Sequence, residues 1–332
     1  MYGYDVFHEE LLETLIKSVR EDRGAHSYIF EGADGMGKHM AAKLLAAAFL
    51  CEEKLSPCTS CKSCVMAKAG THPDIKHITP AEDKKNIGVD VIRDLNSDAY
   101  IKPFYSEKKI YIIEGDLLTK EAQNAFLKTL EEPPLYAVFI IVTSDTSKLL
   151  QTVISRCSHI KFPPVTKERL RKFIDTKYPG MSDGFEFHLS YSGGNPAKLE
   201  RLVESPEFSI LRDECSKAVS GILSNEYNDC FEVSDFFDTS AENILDVLDI
   251  MMLFLRDILL LKEGEKKLLL NSDYEEKLRA VSSGVTEEKV MLAMELIPLC
   301  AQMKQRNVGA KYIGMYLALQ VKTRSETFGG IS

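Results

Sequence analysis

Seven residues, Gly32-Ala33-Asp34-Gly35-Met36-Gly37-Lys38, constrain this chain more than any others. They follow a short apolar run, Ser27 to Glu31, and open an Ala- and Leu-rich stretch, Lys38 to Leu50, with no Gly or Pro. A strand, a glycine turn and a helix in that order bring backbone N–H groups and the positive end of a helix to one point, and the lysine reaches the terminal phosphates of a nucleotide. The spacing G-x-x-x-x-G-K is met by Gly32, Gly37 and Lys38, with Gly35 inside it. In a complete motif the next residue is Ser or Thr, whose hydroxyl holds Mg²⁺. Here it is His39, and neutral imidazole suits that hard, oxygen-preferring cation poorly. The loop argues for a nucleotide-type fold and leaves its occupancy by ATP or ADP open.

The residues around the loop agree with that fold. Leu11, Leu12, Leu15, Ile16 and Val19 recur at helical spacing. Asp90 to Ala99 and Glu121 to Leu130 read as helices, the latter stopped by Pro133 and Pro134. Lys109 to Ile113 and Val138 to Val142 read as strands, and Val- and Ile-rich strands separated by helices imply a parallel sheet covered on both faces. A working P-loop ATPase carries acids at the end of such a buried strand, one for Mg²⁺ and one to activate water. After Ile113 stand Glu114, Gly115 and Asp116, without an adjacent Asp-Glu pair, so Glu114 and Asp116 are either remnants of that pair or solvated loop acids.

Near Phe162, Pro163 and Pro164 the pattern changes. Lys167 to about Glu204 gives short helical segments around the turn Gly193-Gly194-Asn195-Pro196. Farther on, Ile244 to Leu261, Glu287 to Lys304 and Ala310 to Val321 carry apolar residues three and four apart, and Thr323 to Ser332 reads as an unstructured tail. The apolar stretch 250–261 is interrupted by Arg256 and Asp257 and is too short to cross a bilayer, and the first residues lack a secretory pattern, so a cytoplasmic protein with no membrane partner is expected. A net charge of −9 counts against a protein that coats nucleic acid by itself. Of eight cysteines, Cys51, Cys58, Cys61 and Cys64 cluster; in a reducing compartment four thiolates at that spacing suit a closed, structural Zn²⁺ site. His72 and His77 nearby are expected to be surface or turn residues.

The segment Thr119 to Pro134, Thr-Lys-Glu-Ala-Gln-Asn-Ala-Phe-Leu-Lys-Thr-Leu-Glu-Glu-Pro-Pro, and the segment Thr152 to Cys157 resemble bacterial clamp-loader subunits of the AAA+ family. His26-Ser-Tyr-Ile-Phe before the loop, Thr71-His-Pro-Asp after the cysteines and Val91-Ile-Arg93 extend the likeness, which runs to about residue 200 and continues more weakly over Gln305 to Leu319. The resemblance implies an α/β P-loop (AAA+) domain over 1–164 with an inserted zinc module at about 51–64, a small helical lid over 165–206 and an all-α C-terminal collar domain over 207–332.

It also implies roles. Motor members of the family, of gamma and tau type, keep Thr after the P-loop lysine, an intact Asp-Glu pair and a lid arginine; this chain has His39, Glu114-Gly115 and Pro196 there. Three impaired elements imply a subunit that does not hydrolyse ATP. Arg156, in Ser155-Arg156-Cys157, matches the family's arginine finger, which acts in trans on a neighbour's nucleotide. The implied partners are gamma/tau-type and delta clamp-loader subunits, with the sliding clamp and primer-template DNA reached through the complex. Two other readings are a self-sufficient P-loop ATPase that manages magnesium through His39, Glu114 and Asp116, and a zinc-dependent DNA-binding regulator.

Overall fold

The computed structural model describes residues 7–53, 57–81, 84–179 and 185–328. Two compact units divide the chain: Met1–Pro179 with Ser192–Leu199, and Gly180–Tyr191 with Glu200–Ser332. The stretch 165–206 contributes to both.

The first unit is built on five parallel strands, β1 (Ser27–Glu31), β2 (Ile75–Ile78), β3 (Lys109–Glu114), β4 (Ala137–Thr143) and β5 (Ser158–Lys161), in the order β2-β3-β4-β1-β5. Register pairs Ile29 with Ile141, Ile141 with Ile113, and Tyr28 with Ser158. Successive side chains point to opposite faces, so each central strand feeds two cores. Tyr28, Phe30, Ile110, Ile112, Val138 and Ile140 pack under α1 (Glu9–Arg20) and α2 (Lys38–Leu50). Ile29, Tyr111, Ile113, Phe139 and Ile141 pack on the other face, under α4 (Val89–Ala99) and α5 (Lys120–Glu131). Between α2 and β2 lies α3 (Lys62–Ala69), which carries two of the clustered cysteines' neighbours, Lys62 and Ser63.

Local chemistry sets the ends of these elements. The Thr119 hydroxyl caps α5 by accepting the Ala122 N–H at 3.2 Å, and Pro133 stops the chain from continuing the helix. A short α6 (Gln151–Ile154) precedes β5, and α7 (Lys167–Lys177) is capped by Thr166. The strands β2 and β5 are short edge strands that the sequence reading lacks; β5, Ser-His-Ile-Lys, is largely exposed.

The second unit is helical: α8 (Glu186–Tyr191), most of α9 (Pro196–Glu204), α10 (Pro206–Leu223), α11 (Asn228–Thr239), α12 (Ile244–Lys262), α13 (Glu275–Gly284), α14 (Glu287–Gln305) and α15 (Ala310–Phe328). Ile250, Met251, Phe254, Ile258, Ile297, Ile313 and Leu317 belong to its continuous core. The two charges that interrupt the apolar stretch of α12 are not loose ends. Asp257, fully buried, accepts from the Asn271 amide at 2.7 Å and its side chain at 2.9 Å, and Arg256 donates to it at 2.9 Å. Among the described residues no helix is long and apolar enough to cross a membrane. The last helix runs to Phe328, well into the stretch expected as an unstructured tail, because Leu317, Ala318 and Val321 anchor it in the core; residues 329–332 lie outside the described ones.

Candidate functional site

The glycine loop leaves the carboxyl end of β1, where the neighbours of that strand, β4 and β5, lead to opposite edges of the sheet. That is the position at which open α/β sheets bind ligands. Gly35 and Gly37 take φ of +85° and +86°, a backbone conformation that costs a side-chain-bearing residue and costs glycine nothing, and Gly37 caps α2. Lys38, however, is turned onto its own loop and is 4% exposed. Its ammonium donates to the carbonyls of Gly32 and, at 2.9 Å, Ala33, and meets the Asp34 carboxylate at 3.4 Å. Those are the oxygens a phosphate would have to displace.

The loop is held from two further sides. The Asn195 side chain donates to the Asp34 carbonyl at 2.7 Å, its Oδ1 accepts from Lys198 N at 3.0 Å, and Ala197 N donates to the Gly35 carbonyl at 3.4 Å. A Cβ on Gly35 would stand 2.5 Å from Asn195 Oδ1, so that side chain sits directly against the loop backbone. On the other flank His8 donates to the Met36 carbonyl at 3.1 Å and packs edge-on against Phe162 at 5.1 Å between ring centres. Burial holds the His8 imidazole below its ordinary pKa and therefore neutral. The recess that Phe7, His8, Met36, Met40 and Phe162 line has a volume of about 10 Å³, room for about one water.

At the end of β3 the three residues in question separate. Glu114 lies 3.5 Å from His39 Nε2, so the residue that replaces the magnesium hydroxyl faces the remaining acid. Gly115 has no space for a second acid: a Cβ there would meet Ile141 Cγ2 at 2.7 Å and the Val142 carbonyl at 3.0 Å. Asp116 turns to the start of the loop after β4, accepting from Thr143 Oγ1 at 2.5 Å and Ser144 N at 3.0 Å, with Lys148 at 3.4 Å. Desolvation pushes its carboxyl up, but the bonds from Ser144 and Thr143 and the Lys148 charge outweigh that and hold it below the ordinary carboxylate range. It is a structural acid of that turn.

Arg156 stands at the other end of the strands. The strands β1 and β5 run parallel with Tyr28 opposite Ser158, so Arg156, just before β5, marks the amino ends of the strands while the loop leaves their carboxyl ends. Five residues of β1 span about 16 Å at roughly 3.3 Å per residue, farther than one arginine side chain extends. Its guanidinium is bonded to Glu131 at the end of α5, with Nε at 2.9 Å and a second, shorter bond from NH2, and NH1 donates to the Thr152 carbonyl at 2.7 Å and to Ser155 Oγ at 3.2 Å. Both partners are surface groups, the side chains 32% and 49% exposed. Sequence reading reached Arg156 and missed Glu131, which lies in the quoted Leu-Glu-Glu-Pro-Pro run but 25 positions away. Cys157 beside it is packed inward, and burial pushes its thiol up to about 12.

The four clustered cysteines converge. The Sγ atoms of Cys51, Cys58, Cys61 and Cys64 all lie within 4.8 Å of one another, and those of Cys58 and Cys64 are 3.9 Å apart. Four sulfurs about 2.3 Å from a tetrahedral Zn²⁺ are about 3.8 Å from each other, so the set suits that ion with the wider separations closing by about an ångström. All four are unbridged, and backbone N–H groups already point at sulfur, Cys61 N to Cys58 at 3.2 Å and Cys64 N to Cys61 at 3.4 Å. Hydrogen bonds from Ser60 and the Cys61 N–H pull the Cys58 thiol down to about 6, whereas burial pushes Cys64 up. Of the two histidines expected at the surface or in a turn, His72 is the turn residue: its carbonyl accepts the Ile75 N–H at 3.1 Å and its Nδ1 the Asp74 N–H at 3.1 Å, while Tyr105 stacks edge-on against the ring and leaves it 3% exposed; His77 is exposed on β2.

Comparison with known proteins agrees with this architecture. A family described as DNA polymerase III, delta subunit, matches residues 7–166, and one described as DNA polymerase III, delta subunit, C terminal, matches 207–309. DNA polymerase III subunit delta' of Bacillus subtilis is 28% identical over 318 residues, 94% of this chain and 95% of that protein. Subunit delta' of Escherichia coli is 28% identical over 221 residues, covering 65% of each chain. Subunit tau of Bacillus subtilis is 31% identical over 278 residues, 76% of this chain but 49% of the tau subunit, so this chain spans about half of that relative. The family models cover both units and the Bacillus subtilis delta' subunit matches over nearly the whole of both chains; with the parallel P-loop sheet and the helical second unit these show that the chain belongs to the delta' family of DNA polymerase III clamp-loader subunits.

Proposed function

We propose that this chain is the delta'-type subunit of a bacterial clamp loader, that it does not hydrolyse ATP, and that it lends Arg156 to the nucleotide site of an adjacent gamma- or tau-type subunit. The observation that carries this reading is the placement of two cations. Lys38 is committed to its own loop oxygens in the position where phosphate would bind, while Arg156 lies at the opposite, amino end of the strands, out of reach of that loop and at the surface. A guanidinium so placed can serve a phosphoryl group only on another molecule. There its fixed charge and planar donors stabilise the charge that develops during transfer. The loop lacks a magnesium hydroxyl, Gly115 excludes a second carboxylate and Asp116 is bonded elsewhere, so the chain's own Gly32, Gly35, Gly37 and Lys38 act as a folded turn, not as an ATPase site.

In this reading the delta subunit completes the set of partners, and sliding clamp and primer-template DNA are met through the assembled complex, in the bacterial cytoplasm. Residues 165–206 serve as a lid-like segment and 207–332 as the collar that joins the ring. Cys51, Cys58, Cys61 and Cys64 hold a structural Zn²⁺; a closed four-sulfur site leaves no coordination position for water.

The test is reconstitution with gamma/tau-type and delta subunits. Arg156→Ala is expected to leave assembly intact on size exclusion and to lower DNA- and clamp-stimulated ATP hydrolysis; unchanged hydrolysis would refute the trans role. Turnover of ATP by the purified chain at the rate of a gamma-type subunit would refute the rest. Metal analysis of the purified chain is expected to find one equivalent of zinc.

A further inference from the structure

A line of polar side chains outside the loop, Arg156 and the sulfur ligands joins the four-cysteine module to the segment 103–107. Glu52 follows Cys51, and Ser63 precedes Cys64. Glu52 Oε1 accepts from Ser63 N at 3.2 Å and from the Ser63 hydroxyl at 3.0 Å. Ser63 Oγ lies 3.4 Å from Ser106 Oγ, which lies 3.2 Å from His72 Nε2. The Asp74 N–H bonded to His72 Nδ1 leaves the ring proton of the neutral imidazole on Nε2, so the bonds run in one direction, from His72 to Ser106 to Ser63 to Glu52. The Asp74 carboxylate, 1% exposed, then accepts from the amides of Phe104 at 2.6 Å, Tyr105 at 2.8 Å and Ser106 at 2.8 Å. Lys62 adds a contact from the module, its ammonium 5.1 Å from the centre of the Tyr105 ring.

The segment that receives these bonds presents Phe104 at 88% exposure. A side chain so exposed contributes little packing, so the position of the segment rests on its amide bonds to Asp74, on the bonds of the Ser106 hydroxyl to Ser63 and His72, and on the Tyr105 ring against His72. We propose that metal binding at the four cysteines sets the position of segment 103–107, with Ser63 and Ser106 as the coupling pair and Glu52 and His72 as the anchors on either side. Ligation by Cys51 and Cys64 fixes the backbone of Glu52 and Ser63, and those two residues hold the line; without the metal that anchoring is lost and Ser106 keeps only its bonds to His72 and Asp74. The module thus acts on a surface that it does not itself form. This rests on the zinc reading given above.

Amide hydrogen exchange on the full chain, zinc-loaded and after treatment with a zinc chelator, tests the coupling. Metal removal is expected to accelerate exchange at Phe104, Tyr105 and Ser106 by about tenfold or more while the amides of β4 keep their protection, as for a local opening. The zinc-loaded double variant Ser63→Ala, Ser106→Ala is expected to retain its metal and to show part of the same acceleration. Unchanged exchange at 104–106 after the metal has left would overturn the coupling, as would equal acceleration throughout β4, which would make the metal a support of the whole fold. Less than one equivalent of zinc in the purified chain would overturn the zinc reading and the coupling together.

Discussion

Lys38 and Arg156 are both cations bonded to oxygens of their own chain, and they differ in what it takes to free them. Lys38 is buried, its donors divided between two backbone carbonyls and a carboxylate, with Asn195 and His8 closing the loop around it. Removing those carbonyls from it leaves a buried ammonium without its partners. Arg156 is held by a surface carboxylate on the end of a helix, a pairing worth about 0–1 kcal/mol when solvent can replace either partner. The same residue chemistry is a fixture in one place and a removable arrangement in the other. In the proposed reading, the first arrangement keeps the phosphate loop bonded to itself, and the second leaves a charge at the far end of the strands that a neighbour can take up.

Four measurements bear on that contrast, and the largest effect belongs to the arginine. At the one nucleotide site it serves, Arg156→Ala is expected to slow hydrolysis by up to about 10³-fold in single-turnover assays of the reconstituted loader, with no loss of stability in the purified subunit beyond about 1 kcal/mol. Lys38→Met is the reverse case. Losing the charge-assisted bonds to the carbonyls of Gly32 and Ala33 is expected to destabilise the chain by up to about 3 kcal/mol in urea unfolding, while loader ATPase stays unchanged. A fall in hydrolysis with unchanged stability would reverse the roles assigned to the two cations.

Between these extremes lies Asp98, partly covered at the end of α4, which binds Lys76 at 2.8 Å and Lys109 at 2.9 Å and accepts from the Tyr111 hydroxyl at 2.7 Å. Desolvation raises its carboxyl, but the three bonds prevail and bring it down from 3.8 to about 2. A depressed carboxylate stabilises the fold fully above its unfolded value and loses that contribution as pH falls through the folded one. Asp98→Asn is therefore expected to cost about 2 kcal/mol at pH 7, with the difference from the parent chain closing between about pH 4 and pH 2. Smallest is Glu131→Gln, expected to lower stability by less than about 1 kcal/mol. A larger loss there would mean that Arg156 is as firmly held as Lys38.

Much of the first unit was legible because its central strands are continuous apolar runs: Ser27–Glu31 and the core of β3 and β4 follow directly from residue type. The edge strands were not, since Ile75–Ile78 and Ser158–Lys161 are short and half-solvated and owe their conformation to pairing with a neighbour distant in sequence. In the second unit α12, α14 and α15 announce themselves by length, whereas α10, α11 and α13 carry Ser, Asp and Glu among their apolar positions and give weaker periodicity. The cysteine set was legible from spacing alone. What spacing could not supply was side-chain direction: that Lys38 turns inward, that Asp116 belongs to the β4 turn, that His72 is interior, and that Glu131 meets Arg156 all depend on segments brought together by the sheet.

The bond from Asn195 to the Asp34 carbonyl also bears on how the protein can be dissected. Ser192–Leu199 belongs to the first compact unit although twelve residues of the second precede it, so the chain leaves that unit after Pro179 and comes back before leaving for good. A recombinant fragment that stops at residue 179 would therefore uncover Gly35 and strand the Asp34 carbonyl, and would report a looser and more accommodating loop than the intact subunit has. An N-terminal fragment meant to stand for the native loop has to extend through Leu199.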